Sequence, residues 1–585
     1  MRTRKKFYLS LFLVGALAAV ASAQTQTADQ TQPQASASAN GPVTTVNQAV
    51  DRIIAREHDE IATIRRYNPI IETYIQDMKP DKELGAVPVH DHYFLGQADL
   101  ARGVVDESML EGKKYKGKLN EFNPLSHLGD LFGSSYVPAG FLQMIYIDTN
   151  GFDRQHYEFD YVRREFLGDV RCLVFDVTPL PKSGNGRFRG RIWAEDQNYT
   201  IVRFNGVYTP EAKINGFNVH FDSWRLNVQP GLWLPAYVYT QESDLRDFLG
   251  NHVHFKGQTR LWGYDLKNAN HEEEFSELTI ESPTAVQDQA GAQQEDRSPI
   301  EAERDWQHAA EVNVLDRLQR VGLLAPPGDI DKVLETVVNN LEVTNNLDIE
   351  PEVHCRVLLT GTLESFSIGH TIVISRGLLD VLPDEASLAT MLAQELADII
   401  VTKPTTDQWG FNDTTNVSTV EALNRFSFRD SPDQVQLASQ KALELLKNSP
   451  YKDKLGSAGL FLKQLDDESK ALPALINAHL GNRVFLATQL IGAAPALQPD
   501  KLDQIAALPL GARVKLDPWN DMVSLVKAKP VPLYSGREKM PFEVTPFMPY
   551  LTRFEKPSNG VTADPAKADL AKKVQQQGQQ QQQQQ

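Results

Sequence analysis

The sequence predicts an α+β protein in which an antiparallel β half-barrel domain is followed by a mainly α-helical domain. Between residues 87 and 267, apolar and polar residues alternate with a period of two, as in strands that bury one face. Between residues 301 and 483, apolar residues recur with the spacing of amphipathic helices. Residues 268–300 are acidic and rich in glutamine, so we expect a linker there, with a separate core on each side.

The N-terminus has the pattern of a secretory signal peptide. Residues 1–23, MRTRKKFYLSLFLVGALAAVASA, combine a basic start, an apolar run and a small-residue cleavage site. We therefore expect an exported protein, periplasmic or extracellular, that does not span a membrane once the signal is removed. Residues 24–44 contain almost nothing apolar and are predicted to be a disordered linker.

Charge and cysteine content narrow the functional classes. The net charge is −17, and no cluster of Lys and Arg appears that could bind phosphates, so nucleic acid is not an expected partner. The chain has two cysteines, Cys172 and Cys355, which fall in different predicted domains. We expect both to be buried thiols rather than a disulfide.

The β region begins after a helical segment, predicted over residues 45–86 from the spacing of its isoleucines. The stretch GRFRGRIWAEDQNYTIVRFNG predicts a hairpin of two alternating strands around residues 196–198. About eight such strands predict a curved antiparallel sheet or partial barrel. The hairpin and its neighbours resemble the outer-membrane lipoprotein-sorting (LolA/LolB-like) half-barrels. The resemblance implies an apolar face for acyl chains, lipoproteins or a hydrophobic partner; the alternative is that the N-terminal helix simply covers that face.

A candidate site lies on the helix that contains MLAQELADII, residues 391–400. Pro383, Asp384 and Glu385 predict its start, because a fixed φ and two acids suit a helix N-terminus. Glu395 falls in the middle of the apolar face, where a carboxylate is costly unless something pairs with it. Gln394 and Asp398 lie side by side, one turn apart.

This helix and its lead-in resemble zinc peptidases of the M-48 family, the CAAX prenyl endopeptidase and HtpX type, which have a gluzincin fold. The residues that carry the resemblance are Ser365-Phe366, Gly369, Gly377-Leu378-Leu379 and Glu395. The family binds zinc through two histidines of a His-Glu-x-x-His motif and a glutamate on a second helix. The resemblance places these ligands at Gln394, Asp398 and Val435, and a His-Pro…Arg motif at His479 and Arg483.

The departures from the family pattern indicate a lost metal site. An amide oxygen at Gln394 is a poor zinc ligand, Asp398 could coordinate, and Val435 cannot. A catalytic zinc site needs three protein ligands and a water, so we expect no metal and no cofactor. Glu395 would then be a residual general base without a function, held by hydrogen bonds from residues such as His370 or Arg483.

Two functions stay open from the sequence. The first is a non-enzymatic, chaperone-like protein of the cell envelope that binds envelope proteins or peptides, with strand 370–376 receiving a client strand at a sheet edge. The alternative is an active zinc metalloendopeptidase with a rearranged site of Asp398, Glu395 and either His370 or His479. Residues 484–555 are rich in proline and predicted to wrap over the folded body, and 556–585 to be a disordered glutamine-rich tail.

Overall fold

The structure is a computed structural model. It describes residues 45–82, 85–102, 105–109, 141–209, 219–246, 252–266, 299–401, 428–483, 488–498, 501–511, 514–517, 521–526 and 542–554. The predicted signal peptide, the first linker, the tail 556–585 and the acidic linker except residues 299–300 lie outside the described residues. The described residues belong to one compact unit.

The first helix is shorter than the segment predicted over residues 45–86. Helix α1 spans Val46–Ile64 and is capped by Thr45, whose hydroxyl accepts the N–H of Gln48. A strand, β1, follows at Ile70–Asp81. The helix ends four residues before Asn68, where Pro69 disfavours helical geometry and so sets a limit beyond which it could not continue. The β-branched residues after Pro69 then favour an extended chain.

Ten antiparallel strands form the main sheet. Besides β1, its strands are β2 (Gly85–Asp99), β3 (Val105–Ser108), β4 (Tyr157–Leu167), β5 (Val170–Pro179), β6 (Phe188–Glu195), β7 (Ile201–Tyr208), β8 (His220–Gln229), β9 (Leu232–Arg246) and β10 (His252–Trp262). Their order is β3-β2-β1-β10-β9-β8-β7-β6-β5-β4. The predicted hairpin is the β6–β7 pair.

The sheet is covered on both faces. Successive residues of β8 point to opposite sides, so Arg225 faces α1, whereas Trp224 shares its side with Tyr237 of β9. We call these the α1 face and the strap face. The strap is the segment 542–554, which has no regular secondary structure and crosses the sheet with contacts from Gln76 in β1 to Asp169 beside β5.

The second region is mainly helical around a small sheet. Its helices are α2 (Pro299–Val321), α3 (Asp329–Thr344), α4 (Arg376–Val381), α5 (Glu385–Val401), α6 (Pro432–Lys447), α7 (Leu455–Glu468), α8 (Pro473–Ile476), α9 (Thr488–Ala493) and α10 (Leu502–Ala506). Strands β11 (His354–Leu358), β12 (Glu364–Ile368), β13 (Thr371–Ser375) and β14 (Asn482–Arg483) pair in the order β11-β13-β12-β14. A two-stranded ribbon joins β15 (Val514–Leu516) to β16 (Val523–Leu525).

Strand β13 lies inside the small sheet rather than at its edge. It pairs in parallel with β11 and antiparallel with β12. The prediction that residues 370–376 offer a free edge is therefore wrong. Strand order depends on contacts between distant segments, which the local pattern of this strand does not contain.

The two regions share one core instead of the two separate cores that we expected. A single cluster of buried residues joins Trp262 of β10 and Tyr93 of β2 to Leu318, Phe366 and Leu396 of the helical region. Polar contacts cross the same boundary: Asp91 accepts the N–H groups of Ala474 and Leu475. The expectation failed because β1 is buried on both faces, so the sheet needs a second cover that its alternation does not reveal.

Two further expectations concern cysteines and membranes. Cys172 and Cys355 are both buried free thiols. Burial raises the pKa of the Cys172 thiol to about 12, and neighbouring carboxylates add to that shift. Among the described residues, no helix has the length and apolarity needed to cross a bilayer.

Candidate functional site

Helix α5 begins where the sequence predicts. The N–H of Ser387 donates to Asp384 Oδ1 at 2.8 Å, so Asp384 caps the helix, and Glu385 lies in the first turn. The hydroxyl of Tyr451 donates to Glu385 at 2.8 Å. These contacts hold the first turn of α5 in place.

Glu395 is an interior residue of α5. Its side chain is 1% exposed, and Ser365 of β12 donates a hydroxyl hydrogen bond to Oε1 at 2.7 Å. Oε2 has no hydrogen-bond partner among the described residues. Burial raises the pKa of Glu395 to about 8, and the nearby charges of Asp398 and Asp430 act in the same direction. The carboxyl is therefore mostly protonated at pH 7.

The partner of Glu395 differs from the expected ones. His370 lies 3.7 Å from Glu311 of α2, and the side chain of Arg483 is outside the described residues. Ser365 takes the role instead. Strand β12 and helix α5 are matched in spacing, because residues two apart on a strand face residues three apart on the helix.

Asp398 repeats this pattern one turn further along. Ser367 donates its hydroxyl to Asp398 Oδ2 at 2.7 Å. Asp430, just before α6, exchanges two hydrogen bonds with Asn482: its N–H donates to Oδ1 at 3.0 Å, and its Oδ2 accepts from Nδ2 at 2.5 Å. Burial and the charge of Asp398 raise the pKa of Asp430 to about 6. Glu395 and Asp430 are therefore two neighbouring carboxyls whose raised pKa values favour the protonated form.

Gln394 faces helix α6 across a small cavity of about 10 Å³, which Ser439 also lines. Its Oε1 has no hydrogen-bond partner among the described residues. Val435 is half-buried on α6, one turn before Ser439. One prediction stays untested: that the three positions of a lost zinc site lie close together, namely Gln394, Asp398 and Val435.

His479 belongs to the boundary with the main sheet. Its ring stacks on Tyr93 at 4.8 Å between centroids, and Nε2 lies 2.6 Å from the carbonyl oxygen of Ala474. The backbone there is held by Glu364, whose Oε2 accepts the N–H groups of His479, Leu480 and Gly481 at 3.0, 2.7 and 3.1 Å. The backbone of Arg483 pairs with Glu364 in the β12–β14 ladder.

The donors present do not fit a zinc ion. Within the described parts of the chain, no three His, Cys, Asp or Glu side chains are grouped so that they could hold a metal. Gln394 offers an amide oxygen, Asp398 is bonded to Ser367, and Val435 has no donor atom. His370 and His479, which a rearranged site would need, contact Glu311 and Tyr93 instead.

A larger cavity, of about 640 Å³, opens beside strand β11 and contains none of the predicted site residues. Lys332, Glu335, His354 and Arg356 are among its lining residues. Glu335 Oε1 accepts the N–H of Cys355 at 3.3 Å, so a carboxylate occupies part of this sheet edge. The lining thus carries both signs of charge.

On the α1 face, the N-terminal helix fills the space that an acyl chain would need. Val50, Ile53, Ile61 and Ile64 are buried there. Arg225 is fully buried and binds both carboxylate oxygens of Glu57, at 2.6 and 2.7 Å. Of the two interpretations of this face, the described residues favour a covered surface.

Sequence reasoning missed Ser365, Ser367, Asp430 and Asn482. A signal for two of them was present: in ESFSI, residues 364–368, two serines share one face of a strand and alternate with Phe366 and Ile368. Alternating hydroxyls on a buried strand require partners. Asn482 and Asp430 meet only through the tertiary fold.

Comparison with known proteins gives distant similarities only. No family model matches the chain, and no curated protein matches it. Solved structures that are similar include a LolA superfamily protein from Nitrosomonas europaea (10% identity, 38% of this chain and 92% of that chain, TM-score 0.18). A second is a putative outer membrane lipoprotein-sorting protein domain from Vibrio parahaemolyticus (11% identity, 38% of this chain and 95% of that chain, TM-score 0.21). A third is a DUF1329 family protein from Desulfovibrio piger (11% identity, 38% of this chain and 94% of that chain, TM-score 0.18). At these TM-scores we base no functional conclusion on them.

Proposed function

We propose that the protein is an exported binding protein of the cell envelope, periplasmic or extracellular, without peptidase activity. The observation that carries this proposal is the state of Glu395, which is buried, bonded to Ser365 and protonated near neutral pH. A general base must be ionised and within hydrogen-bond reach of the water that it activates. Glu395 is buried and its raised pKa favours the protonated form, so it is poorly suited to that role.

The surroundings of Glu395 support the same conclusion. Asp398 is bonded to Ser367, so both carboxyls of α5 hold the helix onto β12. A hydrolase would instead turn them toward a cleft that substrate can enter. No observation favours the alternative of a rearranged zinc endopeptidase, and the resemblance to M-48 peptidases is limited to the local sequence pattern.

As partners we propose polypeptides of the envelope in preference to acyl chains. The α1 face is filled by the isoleucines of α1 and by the Arg225–Glu57 pair. A buried ion pair is a poor lining for a hydrocarbon chain. An envelope location is supported by the signal-like sequence of residues 1–23.

Metal content and peptide cleavage test the proposal. We expect the purified protein, after dialysis, to contain far less than one zinc per chain and to leave unstructured peptide substrates intact. Stoichiometric zinc together with cleavage that a chelator abolishes would overturn the proposal. Glu395→Gln is the matched variant, because true peptidase activity would be lost in it whereas a contaminating activity would persist.

A further inference from the structure

The strap is held at its N-terminal end through its backbone. Gln76 of β1 is fully buried; its Nε2 donates to the carbonyl oxygen of Phe542 at 2.5 Å and its Oε1 accepts the N–H of Val544 at 2.8 Å. A side-chain amide that donates and accepts in this way imitates the edge of a β-strand. It binds an extended chain without reading its side chains.

The C-terminal end of the strap is held in the same way. The N–H of Asp169 donates to the carbonyl oxygen of Leu551 at 2.8 Å. Asn227 Oδ1 accepts the N–H of Phe554 at 2.7 Å. Together with Gln76, these groups hold both ends of the strap by hydrogen bonds to its backbone.

The side chains of the strap add selectivity at a few positions. Phe542, Val544 and Leu551 are buried, at 8%, 4% and 0% exposure. Glu543 is paired with Lys256, and Arg553 Nη2 lies 2.7 Å from Glu195. The sheet therefore accepts apolar residues near both ends, an acid near the first end and a base near the second.

The middle of the strap packs poorly. Phe547, Met548 and Tyr550 are 47%, 69% and 65% exposed, although each is large and apolar or aromatic. Tyr237 contacts this part through a 3.4 Å hydrogen bond to the carbonyl oxygen of Thr545. A segment selected only to complete a core would bury such residues.

We propose that the strap face is a binding groove for extended polypeptides and that residues 542–554 occupy it as an exchangeable internal ligand. This deepens, and rests on, the proposed binding function. The partner is an extended segment with apolar residues at the positions of 542, 544 and 551, an acid at 543 and a base at 553. Binding of the partner displaces the strap.

The test uses the full chain and a labelled peptide of residues 541–555, followed by fluorescence anisotropy. Val544→Asp and Leu551→Asp together should loosen the strap and leave the groove residues unchanged. We expect this variant to bind the peptide at least tenfold more tightly than the wild type, whose groove is filled. Adding Gln76→Glu, which removes the donor to residue 542, should weaken binding at least tenfold.

Gln97→Glu is the matched control, because Gln97 lies on the same sheet but its amide donates to the carbonyl of Asn68. It should leave peptide affinity within twofold. Equal affinity for a scrambled peptide, no gain in the loosened variant, or loss of cooperative unfolding in that variant would each overturn the proposal. If the wild type forms a dimer at high concentration in which each copy places its strap in the other's groove, the groove binds a second copy of this chain. That result would refute binding of an external partner.

The outcome is separable from the proposed function. Failure of the peptide to bind leaves the absence of peptidase chemistry untouched. Cleavage of the peptide by the wild type, lost in Glu395→Gln, would refute the proposed function whatever the affinity.

Discussion

Two helices of this protein are fastened to strands by buried ionisable groups, and the two fastenings are built in opposite ways. Helix α1 is tied to β8 by the ion pair of Glu57 with Arg225. Helix α5 is tied to β12 by carboxyls that meet hydroxyls, such as Glu395 with Ser365. The first cluster pairs a carboxylate with a guanidinium, whereas the described contacts of Glu395 are with a hydroxyl and with neighbouring acids.

This difference decides the protonation state of each cluster. Burial alone would lower the pKa of Arg225, but the charge and hydrogen bonds of Glu57 and the charge of Glu60 together outweigh burial, so the pKa is raised and the guanidinium stays charged. A serine hydroxyl lowers the pKa of Glu395 too little to balance burial. The buried guanidinium of Arg225 therefore keeps its charge, whereas the buried carboxyl of Glu395 takes up a proton.

The largest effect that we expect is a pH dependence carried by Glu395. Because its pKa is raised from 4.5 to about 8, the folded protein retains a proton that the unfolded chain loses between these values. Its contribution to stability is full below pH 4.5 and declines as pH rises toward 8, by at most about 5 kcal/mol. Urea unfolding from pH 5 to 8.5 should show a steeper decline in the wild type than in Glu395→Gln, in which Asp430 and Glu60 still titrate. Glu385→Gln, which changes an exposed carboxyl, is the control. If the free energy of unfolding falls equally with pH in the wild type and in Glu395→Gln, the pH dependence does not come from Glu395.

The ion pair should respond to loss of its cation instead. Arg225→Met leaves Glu57 buried without a partner, and we expect the free energy of unfolding to fall by about 4 kcal/mol. The double variant Arg225→Met with Glu57→Leu should recover most of that loss. Arg154→Met, which breaks the exposed pair with Asp51, should cost about 0.5 kcal/mol or less. If Arg225→Met lowers the free energy of unfolding no more than Arg154→Met does, the buried pair does not hold α1 on the sheet.

A third experiment asks whether the acid cluster retains the geometry of a metal site. Gln394→His, Asp398→His and Val435→Glu together should raise zinc affinity by about 3 kcal/mol, well below the 10–16 kcal/mol of structural zinc sites. Calorimetric titration measures the gain. The control is the triple variant with Val435→Gln in place of Val435→Glu, and it should bind zinc more weakly. If the two triple variants bind zinc equally, residue 435 does not reach the ligands on α5.

The smallest effect concerns the hydroxyls. Ser365→Ala leaves the buried carboxyl of Glu395 without its donor, which should cost about 1–2 kcal/mol at pH 6. Ser367→Ala should cost less, because Ser367 is only half-buried. Chemical unfolding of both variants at one pH measures the two losses of stability. If Ser367→Ala loses more, the Ser367–Asp398 contact, and not the Ser365–Glu395 contact, contributes more to stability.

Local patterns predicted the elements of this fold well. Pro383, Asp384 and Glu385 marked the start of α5, and alternation located the β6–β7 hairpin, because both signals depend on neighbouring residues. The resemblance to peptidases drew attention to Glu395, whose position on an apolar face already required a partner.

What could not be predicted depends on residues far apart in the chain. The central position of β13, the stacking of His479 on Tyr93 and the partners of Asp430 arise only when distant segments meet. Alternation reveals one apolar face of a strand, but β1 is buried on both. The second cover of the sheet, and with it the single core, therefore had no local signal.

The contacts of Gln76 join positions separated by 466 and 468 residues, and Asp91 reaches α8 across 384. A ribosome makes β1 and β2 hundreds of residues before the strap, so these strands wait for part of their cover. Contacts this distant make folding slow and leave apolar strands uncovered in the meantime. Until the strap and α8 are in place, the exposed strands are the part of the chain most open to aggregation.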